Sequence, residues 1–338
     1  MAFSGGVDSC TTAVLLRQRG MRVACIYMHV PGCGTDENAQ AARSAALALD
    51  LPFYEADLSS IYRASVLDYY TQEYLAGRTP NPCIRCNPVV KFGALPAAAR
   101  AMGVTFAYMA TGHYARIERD DAGACRLYRG ADTSKDQSYF LYRLSQEQLS
   151  HTLFPLGAMR KTEVRDLARQ LNLLPADRPD SQDFAGASAV QMPPDCAGDI
   201  VLTDGRVLGR HTGYWRYTPG QRKGLGVAYT EPLYVVGIDP EANRVVLGTR
   251  AEELCSGCMV TDTVWTVQPP GQGAHLQGRV RSAQPLRGMT VLHLGQGTAE
   301  VRFDAPVQGV APGQSLVLYD GDEVLGGGII ARRVPVGR

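Results

Sequence analysis

Ser4-Gly5-Gly6-Val7-Asp8-Ser9 begins three residues into the 338-residue chain and runs directly into a helical stretch ending at Gly20. Glycines without a Cβ let backbone N–H groups close on an anion. The helix N-terminus that follows favours negative charge, and the serine hydroxyls add donors. Such a turn is a pyrophosphate cradle, and it belongs at the end of the first, central strand of a parallel α/β sheet. Only Met1-Ala2-Phe3 precede it. Most of that strand is therefore missing, so either the sheet tolerates a stub or, as expected here, translation starts upstream of Met1 or the chain has been trimmed, and a longer form with a complete apolar strand is expected to be more stable. No G-x-x-x-x-G-K-[ST] occurs, which disfavours a P-loop phosphotransferase.

Up to about Asp180, apolar β-rich runs alternate with helical patterns. Met21 to Val30 and Val104 to Ala110 read as buried strands. Asn38 to Leu49, Ser60 to Leu75 and Thr162 to Leu171 carry helical spacing, the last behind a Thr162 cap with Val164, Leu167, Ala168 and Leu171 on one face. This alternation predicts a parallel sheet with helices on both faces. From Gly198 onward, short strands punctuated by Asp204-Gly205, Asp239-Pro240 and Asp320-Gly321 predict antiparallel β structure. The stretch from Ala185 to Ala197, with Pro193-Pro194, reads as a linker. The expected organisation is a nucleotide-binding domain over 1–197, a small β-rich domain over 198–258 and a β-barrel over 259–338.

The second chemical signal is Gly77-Arg78-Thr79-Pro80-Asn81-Pro82-Cys83-Ile84-Arg85-Cys86-Asn87. Prolines stiffen this loop, and Arg78 and Arg85 are expected to favour thiolate at Cys83 and Cys86. Two small buried residues would be the bland reading, but a polar, proline-bracketed loop is a poor core segment. Cys255-Ser256-Gly257-Cys258 is a second C-x-x-C; it lies in the β-rich region without basic flanks and reads as structural. Nine cysteines in a chain with no leader pattern are expected to be reduced thiols. No apolar run approaches the roughly 18 residues that span a bilayer, so the expected location is the cytoplasm, with no membrane partner. A net charge of +1 excludes indiscriminate coating of nucleic acid, though not a local basic face. Only four of the 34 basic residues are lysines: Lys91, Lys135, Lys161 and Lys223. Where arginine carries nearly all other positive charge, each lysine is a candidate for a site that needs a compact ammonium.

The S-G-G-x-D-S loop resembles that of the PP-loop enzymes, which split ATP between the α and β phosphates to adenylate a substrate. Joined to Ala110-Thr111-Gly112-His113-Tyr114, Lys135-Asp136-Gln137-Ser138-Tyr139-Phe140-Leu141, Gly220-Gln221-Arg222-Lys223-Gly224-Leu225-Gly226, Pro312-Gly313-Gln314 and Gly326-Gly327-Gly328-Ile329-Ile330, it makes the chain similar to the tRNA-specific 2-thiouridylases over nearly its whole length. The resemblance implies an adenine nucleotide α-hydrolase-like, Rossmann-like domain, then a small β-rich domain and a tRNA-binding barrel. It places ATP, with Mg2+, on Ser4, Gly5, Gly6, Val7, Asp8 and Ser9, with Met28 and Gly112 also contacting the nucleotide. It makes Cys86 the nucleophile that carries persulfide sulfur to C2 of a wobble uridine. Asn81, Pro82 and Cys83 would face the base, although many members have Asp where this chain has Cys83. His113, Lys135, Asp136, Gln137 and Gln314 match positions that contact tRNA. The implied partners are tRNA of the Glu, Gln and Lys type and a sulfur relay protein or cysteine desulfurase.

One departure bears on mechanism. The family's second cysteine follows a D-S-x-x-x-C-F-like pattern, and here Asp180-Ser181-Gln182-Asp183-Phe184 is followed by Ala185. Cys83 or Cys196 would have to resolve the persulfide instead, or an iron–sulfur cluster on Cys83, Cys86 and Cys196 would carry the sulfur. Otherwise the chain is an impaired tRNA-binding relative. Another PP-loop adenylating enzyme is the remaining enzymatic alternative.

Overall fold

In the computed structural model, which describes residues 1–32, 36–173, 190 and 192–337, the three residues ahead of Ser4 take the central place in a parallel sheet. Ala2 bridges Ile26 in parallel, and Phe3 N donates to Ile26 O and Ile26 N to Met1 O, both at 2.9 Å. On the other side Ala2 N donates to Ala110 O at 2.9 Å. The order is Phe53–Asp57, Cys25–His29, the stub, Met109–Ala110 and Thr152–Leu153; Phe53–Asp57 with Cys25–His29, Ala2 with Ile26, and Met109–Ala110 with Thr152–Leu153 each pair in parallel. Short as it is, the stub is hydrogen-bonded on both sides and ends on Phe3, which is 2% exposed.

The chain divides into two units: Met1–Asp68 with Pro82–Val190 and Asp322–Val324, and Tyr69–Asn81 with Gln191–Gly321 and Leu325–Arg338. In the first, side-chain alternation along Cys25–His29 builds a core on each face of the sheet. Cys25 and Tyr27 pack with Phe3, Cys10, Ala13 and the alanines Ala39, Ala42, Ala45 and Ala46 of helix Asp36–Ala48. Ile26 packs on the other face with Tyr62, Val66, Val90, Leu95 and Met109.

Both predicted strands are shorter than their apolar runs. Helix Val7–Gln18 closes through Gly20 (φ +78°), with Met21 N donating to Leu16 O, and the chain needs residues 21–24 to return to the sheet. Helix Leu95–Ala101 closes in the same way through Gly103 (φ +81°) and Val104 N to Ala99 O, so only Met109–Ala110 pairs. The predicted Thr162 cap is also displaced. Helix Lys161–Gln170 starts earlier because Asp132 Oδ2 accepts from Lys161 N at 2.9 Å and Glu163 Oε2 from Arg160 N at 2.7 Å. Ser59–Leu75 is one helical run with a π-helical turn at Arg63–Leu67.

The second unit holds a four-stranded sheet in the order Val207–His211, Gly198–Leu202, Arg244–Gly248, Tyr234–Asp239. Its hairpins turn at Asp204-Gly205 and Asp239-Pro240 as expected, but Gly198–Leu202 and Arg244–Gly248 run parallel. The long connection over residues 212–233 carries the chain to the far edge, and the following hairpin brings Arg244–Gly248 back alongside. Six further strands then close a barrel: Cys255–Trp265, Thr298–Val307, Arg287–Gly295, His275–Arg279, Ser315–Asp320 and Glu323–Pro335, which pairs back with the first. Closure removes open sheet edges. The first barrel strand begins at Cys255, ahead of the division drawn after residue 258. Cys255 and Cys258 are fully buried in the barrel core with Val260, Val291, Val301 and Ile330, and burial pushes both thiols up. They are packing residues, as their sequence context suggested. Among the described residues, no helix is long and apolar enough to cross a membrane.

Candidate active site

The glycine loop is shaped by what packs behind it. A Cβ on Gly5 (φ +71°) would lie 2.6 Å from Ala42 Cα, so helix Asp36–Ala48 approaches closely enough to admit only glycine. Helix Val7–Gln18 starts after Gly6 without a side-chain cap, which leaves its first-turn N–H groups to a ligand or water. Ser9 Oγ donates to Gly6 O at 3.0 Å and lies 3.4 Å from Ser4 Oγ. Gly112 lies against the loop: a Cβ there would sit 3.0 Å from Asp8 Cβ. Met28 lies in strand Cys25–His29, partly buried.

Asp8 is bonded at both carboxylate oxygens and stays partly exposed. Lys161 Nζ donates to both carboxylate oxygens at 2.8 Å, and Tyr114 OH donates to Oδ1 at 2.8 Å. Lys161 is 7% exposed, and its ammonium stands 5.7 Å from the Tyr114 ring centroid, within cation–π range. Its backbone is fixed by Asp132 as described. Lys161 was flagged by the scarcity of lysine but is absent from the motif-derived site; 153 residues separate it from Asp8.

Cys83 and Cys86 lie on helix Pro82–Cys86, three residues apart and both partly buried, and neither is in a disulfide. Helical residues at this spacing share a face with Cβ atoms about 5–6 Å apart. A disulfide needs roughly 3.5–4.5 Å, so linking these two requires the turn to adjust. A π-helix, Asn87–Ala94, follows at once. Pro88 lacks an N–H and breaks the α pattern. The carbonyls loosened there are taken up by Gln148, whose Nε2 donates to Pro88 O at 2.7 Å and Phe92 O at 3.3 Å. Arg78 forms a two-pronged pair with Glu73, Nε to Oε2 at 2.7 Å and Nη2 to Oε1 at 2.5 Å.

The motif over 135–141 ties the loop region to the cysteine helix. Asp136 Oδ1 accepts from Gly130 N and Ser138 N, both at 3.1 Å, and its side chain is wholly buried. Gln137 Oε1 accepts from Tyr114 N, and Gln137 N donates to Tyr114 O, both at 3.0 Å. Phe140 O accepts from Asn87 Nδ2 at 3.0 Å. One hydrogen-bonded frame therefore runs Lys161–Asp8–Tyr114–Gln137, through residues 138–140, to Asn87 beside Cys86. Asp136 and Gln137 point into this frame, whereas Lys135 remains partly exposed.

His113 is buried, with Nδ1 2.7 Å from Thr111 Oγ1 and its ring 5.9 Å from Phe92 and 5.8 Å from Phe154. Burial, then the Lys91 charge, holds it well below the ordinary imidazole range, so it is neutral. The unfolded chain takes up this proton below about pH 6.5, before the folded protein does. Its contribution to stability is therefore present above that pH and is lost as pH falls. The melting temperature of the wild type should drop more steeply between about pH 7 and 5 than that of His113→Gln. Parallel pH profiles in differential scanning calorimetry would contradict the assignment.

In the second unit, a polar cavity of about 360 Å³ is lined by Arg222, Arg250, Arg281, Glu253, Gln284 and Tyr234, among others. Three arginines against one glutamate make the lining net basic, Glu253 Oε1 accepts from Gly309 N at 2.5 Å, and Arg222 comes from the G-Q-R-K-G-L-G motif. Gln314 Nε2 donates to Thr79 O at 2.9 Å and to Pro80 O at 3.4 Å. Cys196 is exposed and accepts from Asn243 Nδ2 at 3.4 Å. Among the described residues, no three His, Cys, Asp or Glu side chains converge to hold a metal ion. Asp180 to Ala185 lie outside the described residues.

The arrangement defines a class: a Rossmann-like nucleotide-binding domain, with a glycine anion loop whose partly exposed Asp8 pairs with a buried lysine, followed in the chain by a small β domain and a closed β-barrel. Residues 1–185 match the family described as tRNA methyl transferase HUP domain, residues 190–249 the tRNA methyl transferase PRC-barrel domain, and residues 255–330 the aminomethyltransferase beta-barrel domain. The chain is 42% identical over 353 residues to the tRNA-specific 2-thiouridylase MnmA of Geobacter metallireducens, covering 98% of this chain and 95% of that one. It is 40% identical over 361 residues to the enzyme of the same name from Carboxydothermus hydrogenoformans, covering 99% and 97%. Among solved structures, NMN synthetase from Francisella tularensis aligns over 53% of this chain and 64% of that one at 17% identity and TM-score 0.34, too remote to add to the argument. The chain belongs to the tRNA-specific 2-thiouridylase family.

Proposed function

We propose that this protein is an ATP-dependent tRNA uridine 2-sulfurtransferase of the cytoplasm that converts wobble uridine 34 to 2-thiouridine. The observation that carries the reading is the continuous frame from the glycine loop to the cysteine helix, which in this reading joins a nucleotide-activating site to a thiol carrier within one compact unit. The matched families' descriptions speak of methyl transfer and the relatives' names of thiolation; an anion loop beside paired cysteines agrees with the second.

Uracil C2 is a poor electrophile and its oxygen a poor leaving group. The C2 oxygen attacks the α-phosphorus of ATP, the α–β bond breaks, pyrophosphate leaves and the N3 proton passes to water. The loop N–H groups and Lys161 stabilise the charge that develops on the departing phosphates, with Asp8 and Tyr114 holding the ammonium in place. Mg2+ would enter on the phosphates of ATP with Asp8 as the loop's carboxylate, neutralising charge there. The terminal sulfur of a Cys86 persulfide, supplied by a cysteine desulfurase or relay protein, then adds to C2 as AMP leaves with the original oxygen. A second thiolate attacks the Cys86 sulfur and the S–S bond breaks. The terminal sulfur stays on C2, and the resulting disulfide is reduced by a cellular thiol. With alanine at 185, Cys83 takes the resolving role in this reading, and the first turn of its helix opens to let the two sulfurs meet.

Reaching a stacked base requires turning it out, and single-stranded loops are read by base contacts over a phosphate-binding surface. Asn81, Pro82 and Cys83 face the base in this proposal, and Lys135 and the arginine-lined cavity take backbone phosphates. His113, Asp136 and Gln137 act through the loops they fix. The test is nucleoside mass spectrometry of tRNA lacking 2-thiouridine after incubation with the protein, ATP and a persulfide donor under anaerobic conditions. A mass gain of one sulfur-for-oxygen exchange at uridine 34 is expected. Adenylation products without sulfur, or a modified base other than uridine, would point to another PP-loop activity.

A further inference from the structure

We infer that Gln148 is a positioning residue for sulfur transfer, holding the π-helical turn that sets the aim of Cys86. The inference rests on the sulfurtransferase reading, and every contact it uses lies within the first unit. Helix Pro82–Cys86 runs without a break into the π-helix Asn87–Ala94, which passes into helix Leu95–Ala101. A π-helix closes over five residues where the α-helix closes over four; it is rare and occurs mostly inside α-helices, often at functional sites. Three residues make room for it here. Pro88 gives no N–H to the turn before it, and Pro96 gives none to Phe92 O four residues back. Gly93 allows the close pass, since a Cβ there would lie 2.9 Å from Pro88 O.

Pro88 O and Phe92 O are the two carbonyls that Gln148 Nε2 meets, at 2.7 and 3.3 Å. Gln148 is itself fixed in a capping box at the start of helix Gln146–Ser150: its Oε1 accepts from Ser145 N, and its backbone N donates to Ser145 Oγ, both at 3.1 Å. The two ends of the amide therefore have separate partners. Oε1 caps its own helix, and Nε2 bonds the π-helix. Asn87, 3% exposed, ties the start of the π-helix to Phe140 O at 3.0 Å. Between these two anchors the winding that follows Cys86 is fixed. Rewinding it by one residue toward the α pattern would turn the cysteine by about 100° around the helix axis.

The experiment is single-turnover thiolation by full-length protein preloaded with persulfide sulfur, at saturating tRNA and ATP, for wild type, Gln148→Glu and Gly93→Ala. Alongside it, the iodoacetamide alkylation rate of Cys86 in persulfide-free protein is followed by peptide mass spectrometry. Gln148→Glu keeps the cap, because glutamate also serves at that position, and removes both donors to the π-helix. Gly93→Ala keeps the amide and pushes the turn apart from within. Both should thiolate about tenfold or more slowly and show an altered Cys86 alkylation rate, because misplacement near 1 Å costs this much or more, while pyrophosphate release and tRNA Kd stay within about twofold. Undiminished thiolation in both variants overturns the inference. So does slowed thiolation with Cys86 alkylation unchanged. Pyrophosphate release falling in step with thiolation, or failure of both variants to melt cooperatively, overturns it too, because the amide then only supports the domain. A wild-type protein that forms no 2-thiouridine sinks the sulfurtransferase reading, and this inference with it.

Discussion

Cys86→Ala is expected to bring 2-thiouridine formation to background, a loss on the order of 10³-fold or more, the scale on which removing a nucleophile acts. Pyrophosphate release and tRNA binding should be nearly intact, because the glycine loop and its lysine are untouched. The variant distinguishes a sulfur carrier from a residue that only packs the helix, since a packing defect would lower the melting temperature and all three readouts together. Full thiolation in Cys86→Ala would remove Cys86 from the mechanism. Its neighbour completes the test. If Cys83 resolves the persulfide, Cys83→Ser should stop turnover after adenylation and Cys196→Ser should do little. If a cluster carried the sulfur, either change would lower iron content and activity together. An active, iron-free Cys83→Ser protein would leave Cys86 acting alone.

The second large effect is expected at Lys161. In Lys161→Met, pyrophosphate release should fall by about 10² to 10³-fold, the cost of removing one electrostatic group aimed at developing charge. The variant also leaves the Asp8 carboxylate with Tyr114 but no cation, so some stability is lost. The double variant Asp8→Asn with Lys161→Met leaves no unpaired charge. It should recover melting temperature and remain inactive, a split that a purely structural ion pair would not produce. Pyrophosphate release at the wild-type rate in Lys161→Met, at saturating ATP, would show that the lysine serves only the fold.

Chemistry that is local along the chain was legible without coordinates. The glycine loop, the proline-bracketed C-x-x-C and the order of an α/β domain before β-rich modules all follow from residue types at short spacing, and Cys255 and Cys258 declared themselves structural by their apolar context. Backbone geometry then trimmed two predicted strands, because the left-handed helix closures at Gly20 and Gly103 use residues that apolar content alone assigns to the sheet. It moved a helix start from Thr162 to Lys161, because the acceptor that satisfies the first N–H comes from Asp132, 29 residues away. The same limit hid what Lys161 does. A lone lysine carries no spacing signal, and it becomes part of a site only where folding sets its ammonium against a carboxylate 153 residues distant. Asp136, Gln137 and Gln314 match tRNA-contacting positions by resemblance, and what the fold adds is the backbone groups each one bonds. Whether a polar side chain meets solvent, a substrate or a buried carbonyl depends on which backbone groups the fold leaves unpaired beside it, and that accounting exists only once the chain has folded.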